Sequence, residues 1–513
     1  MRRKTDLRVV PTFPLRLHLP LFAALLLLLW WALGYPALWD VPPSGVHLWR
    51  QADSASIAYN YVLHGMDFWR PRLHQLFDGD PHTVGEFPLF YYLAAHFGTV
   101  DAPPENALRT IHLLAFAAGL LALSRLVWRF TADRVWALLL PLLVASSPVI
   151  AYYAFNFLPD VPALGLVFVG WWGWFGYVRG GGTGRLVLGL SGFLLAGLLK
   201  PTAAVSLLAI IGVSIYQGWR KPTGAPRTFY LPLGFALVLL GYLAWNYWMY
   251  QYKAAHANTY FLAQIKPIWT APPDSIRDTF SRLWQLWLPD YGHFTLHGLT
   301  LAAAVSIAFR LRNGAERLFL ALLALGVLSI FVLFFRQYHH HDYYYVALYV
   351  WPVALLVWGT KVLPPRWRSH GLVRLVLLLV VLVNTNHARQ IIAYRSAPGS
   401  KYMGRFNYDL HDRAALQAFL TDIGVPRDAK VISLPDNSPS NTLYFLDRPG
   451  WTRFRLRPFA AAAIRSRIAL GAEYLLITRK GYLTEPAVQP FLGQPIGDFR
   501  GSVFVYRLEG EER

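Results

Sequence analysis

Apolar blocks of near-bilayer length recur along this chain and constrain its fold more than any other feature. The 513 residues are 55% hydrophobic and only 15% charged, whereas soluble domains carry about a quarter charged residues. Short basic or Pro/Gly-rich breaks separate the blocks, which is typical of a polytopic α-helical membrane protein. We predict about eleven spans, near residues 20–39, 107–128, 135–155, 161–178, 186–199, 202–218, 229–249, 294–309, 317–335, 343–361 and 372–388.

The first block, PLFAALLLLLWWALGYPALW at residues 20–39, follows a basic stretch and invites comparison with a signal peptide. It is longer than the apolar core of a signal peptide, and no small-residue cleavage site follows it. We therefore predict that the block is retained as the first span, with residues 1–19 on the cytoplasmic side.

Positive charge predicts the orientation of the spans. Cytoplasmic loops of membrane proteins are rich in Lys and Arg, and every second connection here is basic, which places the N-terminus inside and the C-terminus outside. The net charge of +20 comes partly from these loops, so anionic headgroups explain it and nucleic-acid binding is not predicted. The basic residues of the predicted inner side are Arg2, Arg3, Lys4, Arg8, Arg16, Arg125, Arg129, Arg134, Arg179, Arg185, Arg220, Lys221, Arg227, Arg310, Arg312, Arg317, Lys361, Arg366, Arg368 and Arg374.

The chain contains no cysteine. Disulfide bonds, thiolate zinc sites and thiol chemistry are therefore excluded, even for the region predicted to lie in an oxidising compartment.

Three predicted outer segments are longer than a connection requires, and loops of such length are usually functional or folded. They are residues 40–106, residues 250–293 and everything after residue 389. In the first, ASIAYNYVL and PLFYYLAAHF predict amphipathic helices lying along the membrane interface. The second is predicted to be a structured connector or a lid.

The C-terminal region, residues 391–513, differs in character from the membrane module at residues 20–390. AKVISL, EYLLIT and SVFVYRL predict strands, while DLHDRAALQAFLTDIG and SNTLYFLDRPG predict helices. The length is that of a small domain, so we predict an α/β domain outside the membrane.

Ionisable residues at four separate places fall on the same predicted outer face. Asp53 follows the first span, Asp160 precedes the fourth, and Lys200 lies between two apolar runs. The fourth place, FRQYHHHDYYY, contains Arg336, three consecutive histidines and Asp342. Ionisable residues at a bilayer edge are a functional hypothesis by default.

Each of these residues also has a structural interpretation. Asp53 could cap a helix beginning at Ser54, or pair with Arg50 one turn earlier for about 0.2–0.5 kcal/mol. Asp160 could cap the span that follows it, and Lys200 could extend to the lipid headgroups.

Gathered in one pocket, these groups suit a transfer from a lipid phosphate. A carboxylate accepts a proton from an acceptor hydroxyl, while Lys, Arg, His and Tyr side chains stabilise a departing phosphate oxyanion. The lipid tail would stay in the bilayer with its phosphate among the cations. The histidines at 339–341 leave a divalent metal ion open as a cofactor, although adjacent histidines seldom all face one ion.

The order of several short motifs resembles the GT-C glycosyltransferases, in particular those similar to protein O-mannosyltransferases and to the aminoarabinose transferase of lipid A. The motifs are WRQAD at 49–53, EFPL at 86–89, PD at 159–160, KPTA at 200–203 and HDYY at 341–344. In the C-terminal region, VISLPDNSPSNTLYFLDRPGWT is similar to the outer domain of such proteins. The resemblance covers most of the chain and rests on the order of the motifs.

The resemblance implies a polyprenyl-phosphate monosaccharide donor, inversion at the sugar carbon, and an early acidic residue as the base. Carried onto this sequence, the catalytic carboxylates are Asp53 and Asp160. Glu86 stands where better-known relatives have Lys-Pro-Pro or His-Pro-Pro, so phosphate binding is assigned to other groups. The predicted donor-phosphate ligands are Lys200, Arg336, His341 and Tyr343, and the predicted substrate-binding residues are Arg50, Gln51, Glu86 and Asp342.

The expected activity is that of an inverting glycosyltransferase that moves one sugar from a polyprenyl phosphate to an acceptor glycan, lipid or protein. The expected location is the bacterial inner membrane, with the C-terminal domain in the periplasm. Alternatives stay open: an oligosaccharide polymerase or ligase with a polyprenyl-pyrophosphate donor, a non-catalytic lipid-sugar transporter, or a scaffold. A transporter would favour charges inside the bundle and inverted repeats, and no such repeat is evident.

Overall fold

A computed structural model of the chain describes residues 15–220, 227–261, 265–397, 406–456 and 459–508. Within these ranges the chain is largely helical and has one small sheet near its C-terminal end. The predicted inner residues Arg2, Arg3, Lys4, Arg8 and Lys221 lie outside the described residues.

Every predicted span falls on one helix or on two consecutive helices. By length and composition, 7 helical segments among the described residues can cross a membrane, or up to 9 if each of two bent pairs is one span. The helices at 15–32 and 183–199 are apolar but shorter, so the number of spans stays a prediction. The helices of this region are α1 (Leu15–Ala32), α2 (Tyr35–Leu38), α3 (Leu48–Leu63), α4 (Leu89–Ala95), α5 (Glu105–Thr131), α6 (Arg134–Ala145), α7 (Pro148–Ala154), α8 (Asp160–Val178), α9 (Thr183–Leu199), α10 (Val205–Arg220), α11 (Arg227–Ala255), α12 (Pro273–Arg282), α13 (Leu288–Tyr291), α14 (Phe294–Arg310), α15 (Gly314–Leu333), α16 (Tyr345–Leu348), α17 (Val350–Val362), α18 (Pro365–Arg368) and α19 (Gly371–Ser396).

Some predicted elements are interrupted or extended. The first apolar block breaks after α1 because Gly34 adopts a φ of +87° and a proline opens α2. The third predicted span divides into α6 and α7, which are bent by 79°, since the residue before Pro148 is disfavoured in helical conformation. Residues 250–293 are more helical than predicted, because α11 continues to Ala255 and the helical segment from Pro273 runs into α14 through a 94° bend.

Glycines bring α5, α8 and α9 into close contact. A Cβ atom on Gly119 would lie 2.3 Å from the Cα of Gly165, and one on Gly173 would lie 2.5 Å from the backbone nitrogen of Gly189. Small residues at such crossings are typical of membrane helices, whose association depends on close packing. Because α8 begins with Asp160, this packing fixes the position of that carboxylate.

The C-terminal region forms the predicted α/β unit. It contains α20 (Arg413–Asp422), α21 (Asn441–Leu446) and α22 (Ala461–Ala469), with β1 (Val431–Leu434), β2 (Gly450–Trp451), β3 (Tyr474–Ile477), β4 (Pro495–Phe499) and β5 (Val503–Arg507). The strand order is β2-β1-β3-β5-β4, with β1 parallel to β2 and β3, and β5 antiparallel to β3 and β4. In this register Val431 pairs with both Gly450 and Tyr474.

The segment of residues 40–106 docks on the edge of this sheet. Gly450 donates its backbone N–H to the carbonyl of His74 (3.0 Å), and its own carbonyl accepts from the N–H of Leu76 (2.8 Å). The indole of Trp451 donates to the carbonyl of Phe77 (2.8 Å). These bonds fix the C-terminal unit against the chain that follows α3.

Basic connections collect at the opposite end of the bundle. Glu316 forms ion pairs there with Lys361 and with Arg179, the latter at 3.4 Å. Arg374 pairs with Asp133 at 2.7 Å. The bundle therefore gathers at one end the described connections that the sequence assigns to the inner side.

A buried ionic cluster joins several elements at the end that carries the C-terminal unit. The carboxylate of Asp342, just before α16, pairs with Arg395 of α19 at 2.6 Å, and Arg395 also pairs with Asp290 of α13 at 2.6 Å. Tyr153 of α7 donates to Asp342 (2.6 Å), and Nε2 of His47 lies 2.9 Å from the same carboxylate. Buried charges are costly unless paired, so this cluster fixes α7, α13, α19 and the start of α3 in one arrangement.

We predict that Arg395→Met destabilises the fold strongly. Removing one partner of a buried ion pair costs about 3–5 kcal/mol, because the carboxylates of Asp342 and Asp290 lose their shared guanidinium. Unfolding of the detergent-solubilised protein, followed by tryptophan fluorescence, measures the loss. The matched control is Arg389→Met, an exposed position on the same helix, which should unfold like the wild type. Equal stability of the two variants would contradict the role of the cluster.

Candidate active site

Asp53 lies in the interior of α3, which runs unbroken from Leu48 to Leu63, so it does not cap a helix that begins at Ser54. Its side chain is wholly buried. Oδ2 accepts a hydrogen bond from the hydroxyl of Tyr260 (2.5 Å). The hydroxyl of Ser440, in the C-terminal unit, also lies close enough to the carboxylate to lower its pKa. Among the described residues Oδ1 has no partner in good hydrogen-bond geometry, so it retains the capacity to accept a further hydrogen bond.

The pKa of Asp53 is suited to proton transfer. Burial raises the pKa of this carboxyl from 3.8 to about 7, against the opposing effects of the Arg50 charge and of the hydrogen bonds from Tyr260 and Ser440. A general base is most effective when its pKa lies near the working pH. The carboxylate can therefore take up and release a proton near neutrality.

Arg50, one turn before Asp53 along α3, is held mainly by Glu86. Its guanidinium forms an ion pair with the Glu86 carboxylate and donates to the hydroxyl of Ser54 (3.0 Å). The hydroxyl of Tyr91 donates to the same oxygen of Glu86. Burial acts to raise the pKa of Glu86, but Arg50 first and Tyr91 next hold it below its usual value, so Glu86 remains ionised and fixes Arg50.

Lys200 and Asp160 form an ion pair at the ends of two helices. Nζ of Lys200, directly after α9, lies 2.8 Å from Oδ1 of Asp160 in the first turn of α8. The same ammonium group faces the rings of Tyr343 and Tyr344 at 5.1 and 5.2 Å. The Asp160 side chain is nearly closed to solvent, whereas that of Lys200 is 20% exposed, so the cation is the accessible member of the pair.

The pair formed by Arg50 and Glu86 lies near the pair formed by Lys200 and Asp160. The N–H of Phe87 donates to the carbonyl of Leu198 (3.1 Å), which ties the loop of Glu86 to the end of α9. The charge of Lys200 also lowers the pKa of Glu86. The charges of Asp53, Arg50, Glu86 and Lys200 therefore act on one another, and we call this set the charged network.

Of the predicted substrate-binding residues, Asp342 and Gln51 have protein partners outside the charged network. The Asp342 carboxylate belongs to the buried cluster with Arg395. The amide of Gln51 donates to the carbonyls of Ser44 (2.5 Å) and Val46 (2.9 Å), and its oxygen accepts from the N–H of Ser44 (3.2 Å). Gln51 thus shapes the loop that leads into α3, and the binding roles of both residues stay predictions.

Arg336 and His341 line an open cleft of about 760 Å³, together with Lys266, Asp274, Ser275, Arg277, Asp278, Ser281, Gln337, His339 and His340. The ring of His341 also approaches that of Tyr343, with centroids 5.3 Å apart. Burial, followed by the neighbouring His47, lowers the pKa of His341 to about 3. His341 is therefore neutral at physiological pH and contributes a hydrogen-bonding group, not a cation.

The histidines at 339–341 do not converge on a metal position. Neighbouring rings in this run lie 4.5 and 6.3 Å apart, at interplanar angles of 80° and 67°. Within the described ranges, ligand atoms converge instead at Asp80, His82 and His256, a group that the sequence did not single out.

Three further residues of the site escaped the sequence analysis. Tyr260 contacts Asp53 from 207 positions away, and no local pattern predicts that contact. Arg395 lies beyond the predicted end of the last span, although an arginine in an apolar helix is a recognisable signal. His47 precedes α3 with a φ of +58°, a strained conformation for a residue other than glycine.

No protein-family model matches the chain. No curated protein matches it either.

Solved structures do show a similar fold. ArnT from Cupriavidus metallidurans in the apo state has 13% identity to this chain and a TM-score of 0.61, over 95% of this chain and 97% of that chain. The same protein bound to undecaprenyl phosphate has 14% identity and a TM-score of 0.61 over the same shares. The archaeal oligosaccharyltransferase AglB from Archaeoglobus fulgidus, in complex with an inhibitory peptide and a dolichol-phosphate, has 13% identity and a TM-score of 0.46, over 90% and 69% of the two chains. The chain therefore has a fold similar to that of ArnT, as the order of its motifs predicts.

Proposed function

We propose that this protein is an inverting glycosyltransferase that moves a monosaccharide from a polyprenyl phosphate to an acceptor hydroxyl. The observation that carries the proposal is the buried carboxylate of Asp53, whose pKa burial raises to about 7, coupled through Arg50 and Glu86 to a partly exposed lysine. Lys200 lies at the same end of the bundle, paired with Asp160. The likeness to ArnT, one structure of which binds undecaprenyl phosphate, supports a lipid-phosphate donor.

The reaction uses two residues in different roles: Asp53 as the base and Lys200 as the ligand of the phosphate. Asp53 accepts the proton of the acceptor hydroxyl while the oxygen of that hydroxyl attacks the anomeric carbon of the sugar. The bond from that carbon to the phosphate oxygen breaks, and its electron pair leaves with the lipid phosphate. Lys200 stabilises the developing negative charge. Attack and departure on opposite faces of the sugar give inversion.

Neighbouring residues position these two. Asp160 holds the ammonium group of Lys200 in place, so we assign it a positioning role through that lysine. Tyr343 lies against the same cation. Glu86 fixes Arg50, and the Arg50 charge opposes the burial-driven rise in the pKa of Asp53. Arg336 and His341 border the open cleft of about 760 Å³, through which a substrate would enter.

An apolar groove that could hold the lipid tail lies beside the ionic cluster of Asp342 and Arg395. A cavity of about 480 Å³ lies between the bent segment 273–310 and α17, and its lining includes Trp287, Leu301, Tyr349 and Leu355. The hydroxyl of Tyr291, also in the lining, donates to the backbone carbonyl of Asp342 (2.8 Å). The groove thus begins beside the ionic cluster, where an isoprenoid chain would leave its phosphate near Tyr343.

Orientation and location belong to the same proposal. We infer that the basic connections face the cytoplasm and that the charged network and the C-terminal unit face the periplasm of a bacterial inner membrane. The acceptor is then a glycan, lipid or protein hydroxyl available at that face.

Loss of the base is the direct test. Purified protein is supplied with labelled polyprenyl-phosphate sugars and a panel of acceptors, and transfer is followed by chromatography of the labelled product. Asp53→Asn should lower the rate by about 10²–10⁴-fold, whereas Asp67→Asn, an exposed carboxylate on the same segment, should leave it unchanged. Full activity of Asp53→Asn, or wild-type protein inert with every donor, would refute the proposal.

The pH profile gives a second test. Because the pKa of Asp53 is raised to about 7 and the base must be ionised, kcat/KM should fall about tenfold per pH unit below that value. Tyr260→Phe removes a hydrogen bond that lowers this pKa, so the inflection should move to higher pH. Tyr250→Phe, at an exposed position on α11, is the control. An inflection that Tyr260→Phe leaves in place would argue against Asp53 as the titrating base.

A double-mutant cycle tests the role of Asp160. Lys200→Met should lower kcat/KM for the donor by roughly 10- to 100-fold, the value of a charge-assisted bond to phosphate. If Asp160 acts through Lys200, Asp160→Asn should cause little further loss of kcat/KM in a protein that already carries Lys200→Met. Lys430→Met, in the C-terminal unit, controls for lost charge. Losses that multiply in the double variant would show instead that Asp160 acts independently on substrate.

A further inference from the structure

Three metal-binding side chains meet outside the charged network. Nδ1 of His82 lies 2.6 Å from Oδ1 of Asp80, and Nδ1 of His256 lies 2.6 Å from Oδ2 of the same carboxylate. The two imidazole rings are stacked with centroids 4.4 Å apart. The candidate ligand atoms all lie within 4.8 Å of one another, so a small movement of the rings would bring them around one ion.

The surrounding backbone already holds these side chains together. Residues 71–73 pair with 81–83 through the N–H of Leu73 and the carbonyl of Pro81 (3.0 Å), and through the N–H of Thr83 and the carbonyl of Pro71 (3.2 Å). This two-stranded ribbon carries His82 next to Asp80.

The ribbon is also fixed to α11. The hydroxyl of Tyr252 on that helix donates to the carbonyl of Pro71 (3.0 Å). Just beyond the helix, the amide of Asn258 donates to the carbonyl of His82 (3.1 Å). His256 lies between these two contacts, so the ligands from both segments are positioned before any ion binds.

We propose that Asp80, His82 and His256 bind one divalent ion of the zinc class. Two imidazole nitrogens and one carboxylate oxygen are the ligands that Zn²⁺ prefers, and a site with three protein ligands keeps positions for water. All three side chains are partly exposed, at 40%, 19% and 26%, so the ion can reach them from solvent.

The ion would position the charged network, not take part in the transfer. Glu86, the partner of Arg50, follows His82 closely along the chain. Tyr260, the donor to Asp53, follows His256 in the same way. An ion joining the two histidines therefore ties together the segments that carry these partners.

Metal binding is measured on the full chain in detergent after treatment with a chelator. Wild-type protein should bind about one Zn²⁺, melt at a higher temperature with the metal, and give a cobalt absorption spectrum when Co²⁺ is added. His256→Ala and Asp80→Asn should lose all three signals, while His340→Ala, in the histidine run at 339–341, should keep them.

A cysteine variant separates lost ligation from misfolding. The chain has no cysteine, so in His256→Cys a sulfur-to-cobalt charge-transfer band can arise only from the new ligand. The band should appear at one ion per chain. Wild-type protein without a bound ion, metal retained by His256→Ala, metal lost by His340→Ala, or no thiolate band would each overturn the proposal. These signals do not depend on transferase activity, so they test the metal site separately from the proposed function.

Discussion

The pairing of Asp342 with Arg395 is the interaction on which the rest of this site depends. Charges inside a membrane protein are tolerated only with partners, and here the partners come from separate elements: α7, α13, α19 and the residue before α3. His47 fixes the start of α3 and hence Asp53, while Tyr343, next to Asp342 in sequence, reaches the ammonium group of Lys200. One buried cluster thus sets the distance between a carboxylate and a cation that are remote in sequence.

The carboxylates at this end of the bundle differ in environment, and that difference assigns their roles. Glu86 is buried beside Arg50 and Tyr91, which hold its pKa below the usual value. Asp53 is equally buried, but its hydrogen bonds and the Arg50 charge do not offset the loss of solvent, and its pKa rises to about 7. When the environments of neighbouring acids give them different pKa values in this way, the acid whose pKa lies near neutrality is the candidate for proton transfer. The ionised ones serve to hold cations.

The sequence predicts most of the fold because its signals are local. Apolar blocks mark the helices, and β1, β3 and β5 stand out as continuous apolar runs, whereas β2 has two residues and β4 is largely exposed. Asp53, Asp160 and Lys200 are recognisable as ionisable residues at bilayer edges. Their partners are not, because contacts such as Tyr260 with Asp53 depend on segments that only tertiary packing brings together. The convergence of His82 and His256 on Asp80 was missed for the same reason.

The central claim is that Lys200 receives a lipid phosphate while Asp53 faces the acceptor. An experimental structure of the full chain with a bound polyprenyl phosphate tests it most directly. The account predicts phosphate density about 2.7–2.9 Å from Nζ of Lys200, the isoprenoid in the groove beside α17, and the free oxygen of Asp53 turned toward the remaining space. Phosphate bound only in the cleft of Arg336, with Lys200 still closed on Asp160, would contradict it.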